Sequence, residues 1–168
     1  MPITKHSGQR VAVLIDVQNL YHSAKNLYKA RVNFGAILKL AVSQRSLIRA
    51  FAYVVRTKTG EERAFFDALI KLGIETRVRD LQEFFGGLKK ADWDVGITVD
   101  AIRIAPSVDA IVLASGDGDF FQLVEFLKNQ GKRVEIIAFG RSASSKMKEA
   151  ADEFIDLEMS PEKYLLKR

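Results

Sequence analysis

The chain has 168 residues, of which 48% are hydrophobic and 28% charged, the size and composition of one globular domain. It contains no cysteine and only two histidines, His6 and His22, which excludes disulfides and thiolate metal sites and disfavours histidine-rich zinc sites. A bound metal is therefore expected to be a hard cation with oxygen ligands. The net charge of +5 mildly favours an anionic partner such as nucleic acid.

The two ends of the chain are predicted to lie outside the domain. We expect residues 1–9 to form a flexible N-terminal tail, residues 10–158 the domain, and residues 159–168 a tail or short helix. The N-terminus lacks the apolar core of a secretory signal, and no apolar run reaches the roughly 18 residues of a membrane-spanning helix. These features predict a cytoplasmic protein with no membrane partner.

Strand-like and helix-like segments alternate along the chain. Five apolar, β-branched runs predict strands, at residues 11–16, 48–55, 74–78, 110–115 and 133–139. The first and fourth runs are almost continuously apolar, which is typical of strands buried on both faces of a parallel sheet. Helical repeats lie between them, at residues 61–72, 95–102 and 120–127, while residues 81–91 could extend the third strand or start a loop. This alternation predicts one α/β domain, a doubly wound, mainly parallel sheet of five to six strands flanked by helices.

Two of the predicted strands end in acidic residues. Asp16 ends the first strand, Asp117 follows the fourth, and Asp119 immediately precedes a helix. An open parallel sheet binds its ligands beyond the carboxyl ends of its strands, near the point where the strand order reverses. If these two strands are neighbours, the three carboxylates converge there. Alternatively, Asp16 and Asp119 could simply cap the helices that follow them.

A further acidic segment precedes the fourth strand. The repeat of Val95, Val99 and Ile102 predicts a helix, and Asp94 lies near its start. Asp100 follows six residues later, so the two carboxylates would project roughly 120° apart and are not expected to grip one ion. Asp94 is the better candidate to face the strand ends, and Asp100 is the second. Alternatively, Asp94 could be an acid of the first turn that is favoured there by the helix dipole.

The chemistry of such a cluster favours Mg²⁺ or Mn²⁺, because crowded carboxylates repel one another and a divalent cation removes that repulsion. A site of this kind most often acts on phosphate esters. The sequence shows no serine–histidine arrangement, no phosphate loop and no G-x-G-x-x-G after the first strand, so hydrolysis of a phosphodiester fits best. Basic residues near the predicted strand ends could follow a nucleic-acid backbone, namely Arg56, Lys58, Lys89, Lys90, Arg141 and Lys146.

Three stretches of the sequence resemble one known family. "VAVLIDVQNLY", "DWDVGITVDAI" and "IVLASGDGDFFQLVEFLKNQGKRVEIIAFG" are together similar to the NYN domain, in particular the LabA-like branch of the PIN-like nuclease superfamily. The resemblance covers roughly residues 10–158. It implies a Rossmann-like, PIN-like sheet with a divalent-metal centre and, in several members, ribonuclease activity.

The resemblance also implies roles for individual residues. Asp16 is similar to the acid of the family's first strand, and Asn19 is similar to its companion amide. The acids that match the family's later motifs are Asp94, Asp117, Asp119 and, with less weight, Asp100. The chain departs from the family's K-G-V-D-V pattern, because residues 91–93 read Ala-Asp-Trp before Asp94.

The leading hypothesis is a Mg²⁺- or Mn²⁺-dependent nuclease that acts on RNA, in which Asn19 orients water or a phosphate oxygen. One or two ions would be held by Asp16, Asp94, Asp117 and Asp119. The alternative is a non-catalytic regulatory or RNA- or protein-binding module that uses the same acidic metal site. Toprim-like and phosphatase-like domains are disfavoured, because the first strand ends in neither a glutamate nor a D-x-D-x-T motif. A patch at Phe84 and Phe85 could support a homo-oligomer.

Overall fold

The structure is a computed structural model that describes residues 4–57, 59–60, 62–84, 88–90 and 93–166, with the backbone alone for 82–84 and 88–90. Its strands are β1 (Arg10–Asp16), β2 (Arg31–Val32), β3 (Ser46–Arg56), β4 (Glu75–Asp80), β5 (Gln82–Phe84), β6 (Leu88–Lys90), β7 (Ala110–Ala114), β8 (Arg133–Ala138), β9 (Glu153–Asp156) and β10 (Leu165–Leu166). Its α-helices are α1 (Val17–Tyr28), α2 (Phe34–Val42), α3 (Arg63–Lys71), α4 (Asp94–Ile104), α5 (Phe121–Asn129), α6 (Ser145–Ala150) and α7 (Pro161–Tyr164).

The main sheet has six strands in the order β4-β3-β1-β7-β8-β9, and each neighbouring pair is parallel. The chain runs outward from β1 through β3 to β4 and then returns to β7 on the other side of β1. The strand order therefore reverses between β1 and β7, and the carboxyl ends of these two strands lie side by side. The predicted doubly wound, mainly parallel sheet is confirmed.

Helices cover both faces of the sheet and form two hydrophobic cores. On one face α1, α2 and α3 pack around residues such as Leu20, and on the other α4, α5 and α6 pack around residues such as Ile97. Successive residues of β1 alternate between the cores, with Val13 in the first and Leu14 in the second. Because both faces of β1 are covered, its sequence is apolar at every position from Val11 to Ile15 instead of every second one.

Helix α4 forms where it was predicted. The apolar repeat from which it was predicted, however, lies on the exposed side of the helix. Val95 is 75% exposed, and Val99 and Ile102 are exposed as well. The buried residues of the helix are Ile97, Ala101 and Ile104. Apolar residues occupy both sides of α4, so periodicity alone does not select the side that packs on the sheet.

Short segments outside the main sheet complete the fold. Within residues 81–91, β5 and β6 form an antiparallel pair, and near the C-terminus β10 pairs antiparallel with β2. At the N-terminus Gln9 is buried, and Lys5 Nζ lies 3.4 Å from Glu153 Oε1, so this segment contacts the domain. No helix among the described residues is both long and apolar enough to cross a membrane.

A buried ion-pair network lies at the amino edge of the main sheet. Glu135 of β8 is fully buried, and its two carboxylate oxygens accept hydrogen bonds of 2.6 and 2.9 Å from Arg45. Arg133 Nε donates to the same carboxylate at 2.9 Å, and Lys5 Nζ lies 3.6 Å from it. Arg45 also donates to Gln9 Oε1 at 2.9 Å. The charge of Glu135 is thus compensated within the chain.

Candidate metal centre

Three carboxylates gather at the carboxyl edge of the sheet, where the strand order reverses. They belong to Asp94, the first residue of α4, and to Asp117 and Asp119 in the loop after β7. One oxygen from each lies within 4.8 Å of the others, with Asp119 the most exposed of the three. Among the residues that the structure describes, no ion pair includes Asp117 or Asp119. No described ion pair therefore offsets the repulsion between Asp117 and Asp119.

The loop after β7 is held in shape by its own hydrogen bonds. Asp117 Oδ1 accepts from the backbone N–H of Asp119 at 2.9 Å, and Ser115 Oγ accepts from the backbone N–H of Asp117 at 3.2 Å. Gly116 packs against the loop after β8, where an added Cβ would lie 2.9 Å from the Cα of Ala143. Glycine at this position lets the loop that carries the two acids pack closely on the loop after β8.

Asp16 and Asn19 join the end of β1 to the same loop. Asp16 is buried, and its Oδ2 accepts from Ser115 Oγ at 2.9 Å. Its Oδ1 accepts from the backbone N–H of Asn19 at 3.3 Å, so the capping interpretation of Asp16 is correct. Asn19 Oδ1 accepts from the backbone N–H of Gly116 at 2.9 Å. Asp16 adjoins the three-carboxylate group without belonging to it, and its role as a metal ligand stays a prediction.

Trp93 anchors the start of α4, and with it Asp94, to the end of β3. Its Nε1 donates to the backbone carbonyl of Val54 at 2.9 Å, and the guanidinium of Arg79 lies 4.4 Å from the centre of its ring. An added Cβ at Gly96 would lie 2.6 Å from this ring, so the first turn of α4 packs closely on the indole. Sequence reasoning missed this role, although an aromatic residue directly before a candidate ligand is a signal that could have revealed it.

Asp100 is directed to other partners. Its Oδ2 accepts from the Tyr53 hydroxyl at 2.8 Å and lies 3.3 Å from Arg77 Nε. Burial, and then the hydrogen bond to Asp100, raises the pKa of the Tyr53 hydroxyl, which therefore remains a donor at neutral pH. Asp100 is not part of the three-carboxylate group, because its position on α4 directs it to β3 and β4 instead.

The predicted nucleic-acid-binding residues that the structure describes are exposed and lie near the ends of β3 and β8. Arg56 Nη2 is 2.8 Å from Asp80 Oδ1, Arg141 Nε is 2.7 Å from Glu158 Oε1, and Lys146 lies in the first turn of α6. Exposed ion pairs contribute little to stability, so these arginines can exchange a carboxylate for a phosphate. Outside the described residues lie Lys58 and Phe85, and the side chains of Lys89, Lys90 and Phe84.

The donor set of the acidic group fits a hard divalent cation. Mg²⁺ and Mn²⁺ prefer carboxylate oxygens at about 2.1 Å, so two ligands across one ion are separated by about 4 Å. The oxygens of Asp94, Asp117 and Asp119, within 4.8 Å of one another, are close to that spacing. The group contains no nitrogen or sulfur ligand, which disfavours zinc and copper.

Comparisons with known proteins agree with this geometry. A family model described as the NYN domain matches residues 10–158. The chain is 27% identical over 159 residues to the low amplitude and bright protein LabA of Synechococcus elongatus, covering 88% of this chain and 83% of that protein. It is also similar to the crystal structure of VPA0982, a protein of unknown function from Vibrio parahaemolyticus, with 32% identity and a TM-score of 0.86. That match covers 98% of this chain and 100% of the other.

Proposed function

Because the chain belongs to the NYN domain family of the PIN-like nuclease superfamily, we propose that it is a divalent-metal-dependent nuclease that hydrolyses phosphodiester bonds in RNA. The observation that carries the proposal is the group of Asp94, Asp117 and Asp119 at the point where the strand order reverses. A parallel sheet binds its ligands at this place, and three carboxylates gathered there are suited to a metal and, through it, a phosphate.

Asp94, Asp117 and Asp119 would hold the cation, Mg²⁺ or Mn²⁺, with Asp16 beside them. When bound, such an ion polarises a phosphoryl oxygen and stabilises the negative charge that develops during hydrolysis. Ser115 keeps Asp16 in place through its hydroxyl and keeps Asp117 in place by accepting its backbone N–H. The chain thus supplies preorganised carboxylates, which need little rearrangement when a substrate arrives.

Asn19 would bind a phosphate oxygen of the substrate. Its Oδ1 is occupied by the backbone N–H of Gly116, which fixes the orientation of the side-chain amide. The NH₂ group of the same amide remains a donor, and a phosphate oxygen is an acceptor. This geometry supports the phosphate-orienting role that was one of two predicted for Asn19.

The basic residues around the acidic group would hold the RNA backbone on either side of the cleaved bond. Arg56, Arg141 and Lys146 are exposed, and the two arginines form ion pairs with Asp80 and Glu158. Phosphate contacts of this kind bind without reading the base sequence. They predict binding that weakens steeply as salt is raised.

The test is cleavage of a labelled single-stranded RNA by the pure protein with Mn²⁺, with Mg²⁺ and with EDTA. We expect metal-dependent cleavage, and we expect Asp117→Asn to reduce the rate at least about 100-fold, because even groups that only support metal ligands matter by 10- to 100-fold. Asp67→Asn, which changes an exposed acid on α3, is the matched control and should cleave like the parent.

Full activity in the Asp117→Asn protein would contradict the proposed metal centre. RNA that is bound but never cut, by a folded protein in the presence of Mn²⁺, would instead favour the non-catalytic binding or regulatory module. Parallel reactions with single-stranded DNA of the same sequence test the preference for RNA.

A further inference from the structure

A cleft of about 690 Å³ opens near the carboxyl ends of β1 and β3, between α1 and α3. Its walls are mainly apolar and aromatic, and they include Val17, Tyr21, Val54, Phe65, Phe66 and Leu166. β10 closes one side of the cleft through its pairing with β2. A volume of this size is typical of sites that bind small molecules or single building blocks of a polymer, for which the range is about 300–1,000 Å³.

A few polar groups line the same cleft. Arg31 is exposed and takes part in no ion pair within the part of the chain that the structure describes. Glu62 Oε1 accepts hydrogen bonds from the backbone N–H and the hydroxyl of Thr57, at 3.2 and 2.6 Å. Its Oε2 is shielded from solvent and has no hydrogen-bond partner among the residues that the structure describes. A buried carboxylate oxygen without a hydrogen-bond donor destabilises the fold. A ligand in the cleft could supply that donor after a small rotation of the Glu62 side chain.

Two links connect the cleft to residues next to the acidic group. Val17, in the cleft wall, follows Asp16 in the chain. Val54, in the opposite wall, accepts the indole hydrogen bond of Trp93, the residue before Asp94. The cleft and the carboxylates therefore share the carboxyl edge of the sheet, where one polymer chain can contact both.

We infer that this cleft binds the base of a nucleotide adjacent to the cleaved phosphate in single-stranded RNA, an inference that rests on the proposed nuclease function. Tyr21, which is 44% exposed, offers a ring on which a base can stack, whatever its identity. Arg31 binds a neighbouring phosphate. Glu62 accepts from an amino or imino N–H of the base. A base in a duplex is stacked and paired, so the cleft selects unpaired RNA.

The test measures binding separately from cleavage. A fluorescently labelled single-stranded RNA hexamer is titrated into the Asp117→Asn protein in EDTA, and its anisotropy is followed at several salt concentrations. Adding Tyr21→Ala should weaken binding about tenfold, whereas Tyr21→Phe should retain it, because stacking needs the ring and not the hydroxyl. Adding Arg31→Ala should reduce the slope of log affinity against log salt concentration by about 1, the value for the loss of one phosphate contact.

Arg103→Ala is the matched control, because Arg103 is exposed on α4, on the opposite face of the sheet, and this change should leave affinity unaltered. Duplex RNA of the same length should bind with equal affinity to the Asp117→Asn protein, which is the parent in these titrations, and to the same protein with Tyr21→Ala added. Thermal unfolding checks that each variant is folded, which is expected because Tyr21 and Arg31 are both exposed.

A hexamer that carries 4-thiouridine gives a second readout, since light joins this base to the residues that it touches. Attachment within residues 17–34 or 54–66 supports the inference, and attachment confined to other segments overturns it. Equal affinity of the parent and of both cleft variants, or no binding by the parent, overturns it as well. If the protein binds through the cleft but never cuts RNA, the nuclease proposal fails while the cleft assignment stands.

Discussion

Acidic residues have opposite surroundings at the amino edge and the carboxyl edge of the main sheet, the two edges formed by the ends of its strands. At the amino edge, Glu135 is surrounded by Arg45, Arg133 and Lys5, all within 3.6 Å. At the carboxyl edge, Asp117 and Asp119 approach Asp94 and take part in no ion pair that the structure describes. The first arrangement needs nothing beyond the chain. The second would be completed by the cation of the proposed function, so the comparison separates an acid that stabilises the fold from acids that are suited to a ligand.

The largest effect is expected at the amino edge. Glu135→Gln should lower the free energy of unfolding by about 3–5 kcal/mol near neutral pH, because Arg45 would remain buried without its charged partner. Urea unfolding measures this loss. Glu75→Gln removes an exposed ion pair with Arg49 and should lower stability by less than about 1 kcal/mol. Equal losses in the two variants would break the distinction between a buried and an exposed pair.

The pH dependence of stability gives an independent check on Glu135. Burial acts to raise the pKa of Glu135, but the hydrogen bonds from Arg45 and Arg133 outweigh it and hold the pKa below its ordinary value. A carboxylate with a lowered pKa in the folded state contributes its full stability above the unfolded value, about 4.3, and loses it as the pH falls through the folded value. The difference between the parent and Glu135→Gln should therefore shrink below about pH 4.

An intermediate effect is expected from the loop that carries two of the acids. Gly116→Ala would place a Cβ 2.9 Å from the Cα of Ala143, where only backbone can yield, and should lower stability by about 1–3 kcal/mol. Gly118→Ala meets Ser144 Oγ at 2.9 Å, which can rotate away, and Ser144 Cβ at 3.1 Å, which needs a shift of only a few tenths of an ångström. Thermal unfolding of the pair measures the difference. A larger loss in Gly118→Ala than in Gly116→Ala would show that the loop is not positioned by the Gly116 contact.

The smallest effect on the metal-free protein is expected at the acidic group itself. Asp119→Asn should change stability by less than about 0.5 kcal/mol, in the stabilising direction, because it removes one of three neighbouring like charges. The parent should gain thermal stability when Mn²⁺ is added, and the variant should gain less, because a ligand stabilises only the state that binds it. If Asp119→Asn and the control Asp67→Asn respond to Mn²⁺ as the parent does, Asp119 is not a ligand.

The sequence predicted the parts of the fold that depend on continuous or periodic burial. β1 and β7 were recognised because strands covered on both faces are apolar throughout, and α5 because its buried residues recur with helical spacing. The packed side of α4 could not be predicted, because Val95 and Ile97 are equally apolar and only the position of the sheet distinguishes them. The antiparallel pair of β2 and β10 joins segments more than 130 residues apart, and neither has a pattern of its own.

The same division applies to the candidate site. Asp94, Asp117 and Asp119 were found because each lies at the end of a strand or the start of a helix, and that position is visible in the sequence. The hydrogen bonds of Asp16 and Asn19 to the loop after β7 depend on which strands are neighbours. Sequence periodicity does not encode such contacts, so these supporting interactions emerge only from the structure.

Trp93 gives the acidic centre an optical reporter of its own. It is the only tryptophan in the chain, it precedes Asp94, and its indole is bonded to the carbonyl of Val54 and covered by the guanidinium of Arg79. Indole emission responds to hydrogen bonding and to nearby charge. Occupancy of the centre can therefore be followed through the native fluorescence of the protein, without a dye and without turnover.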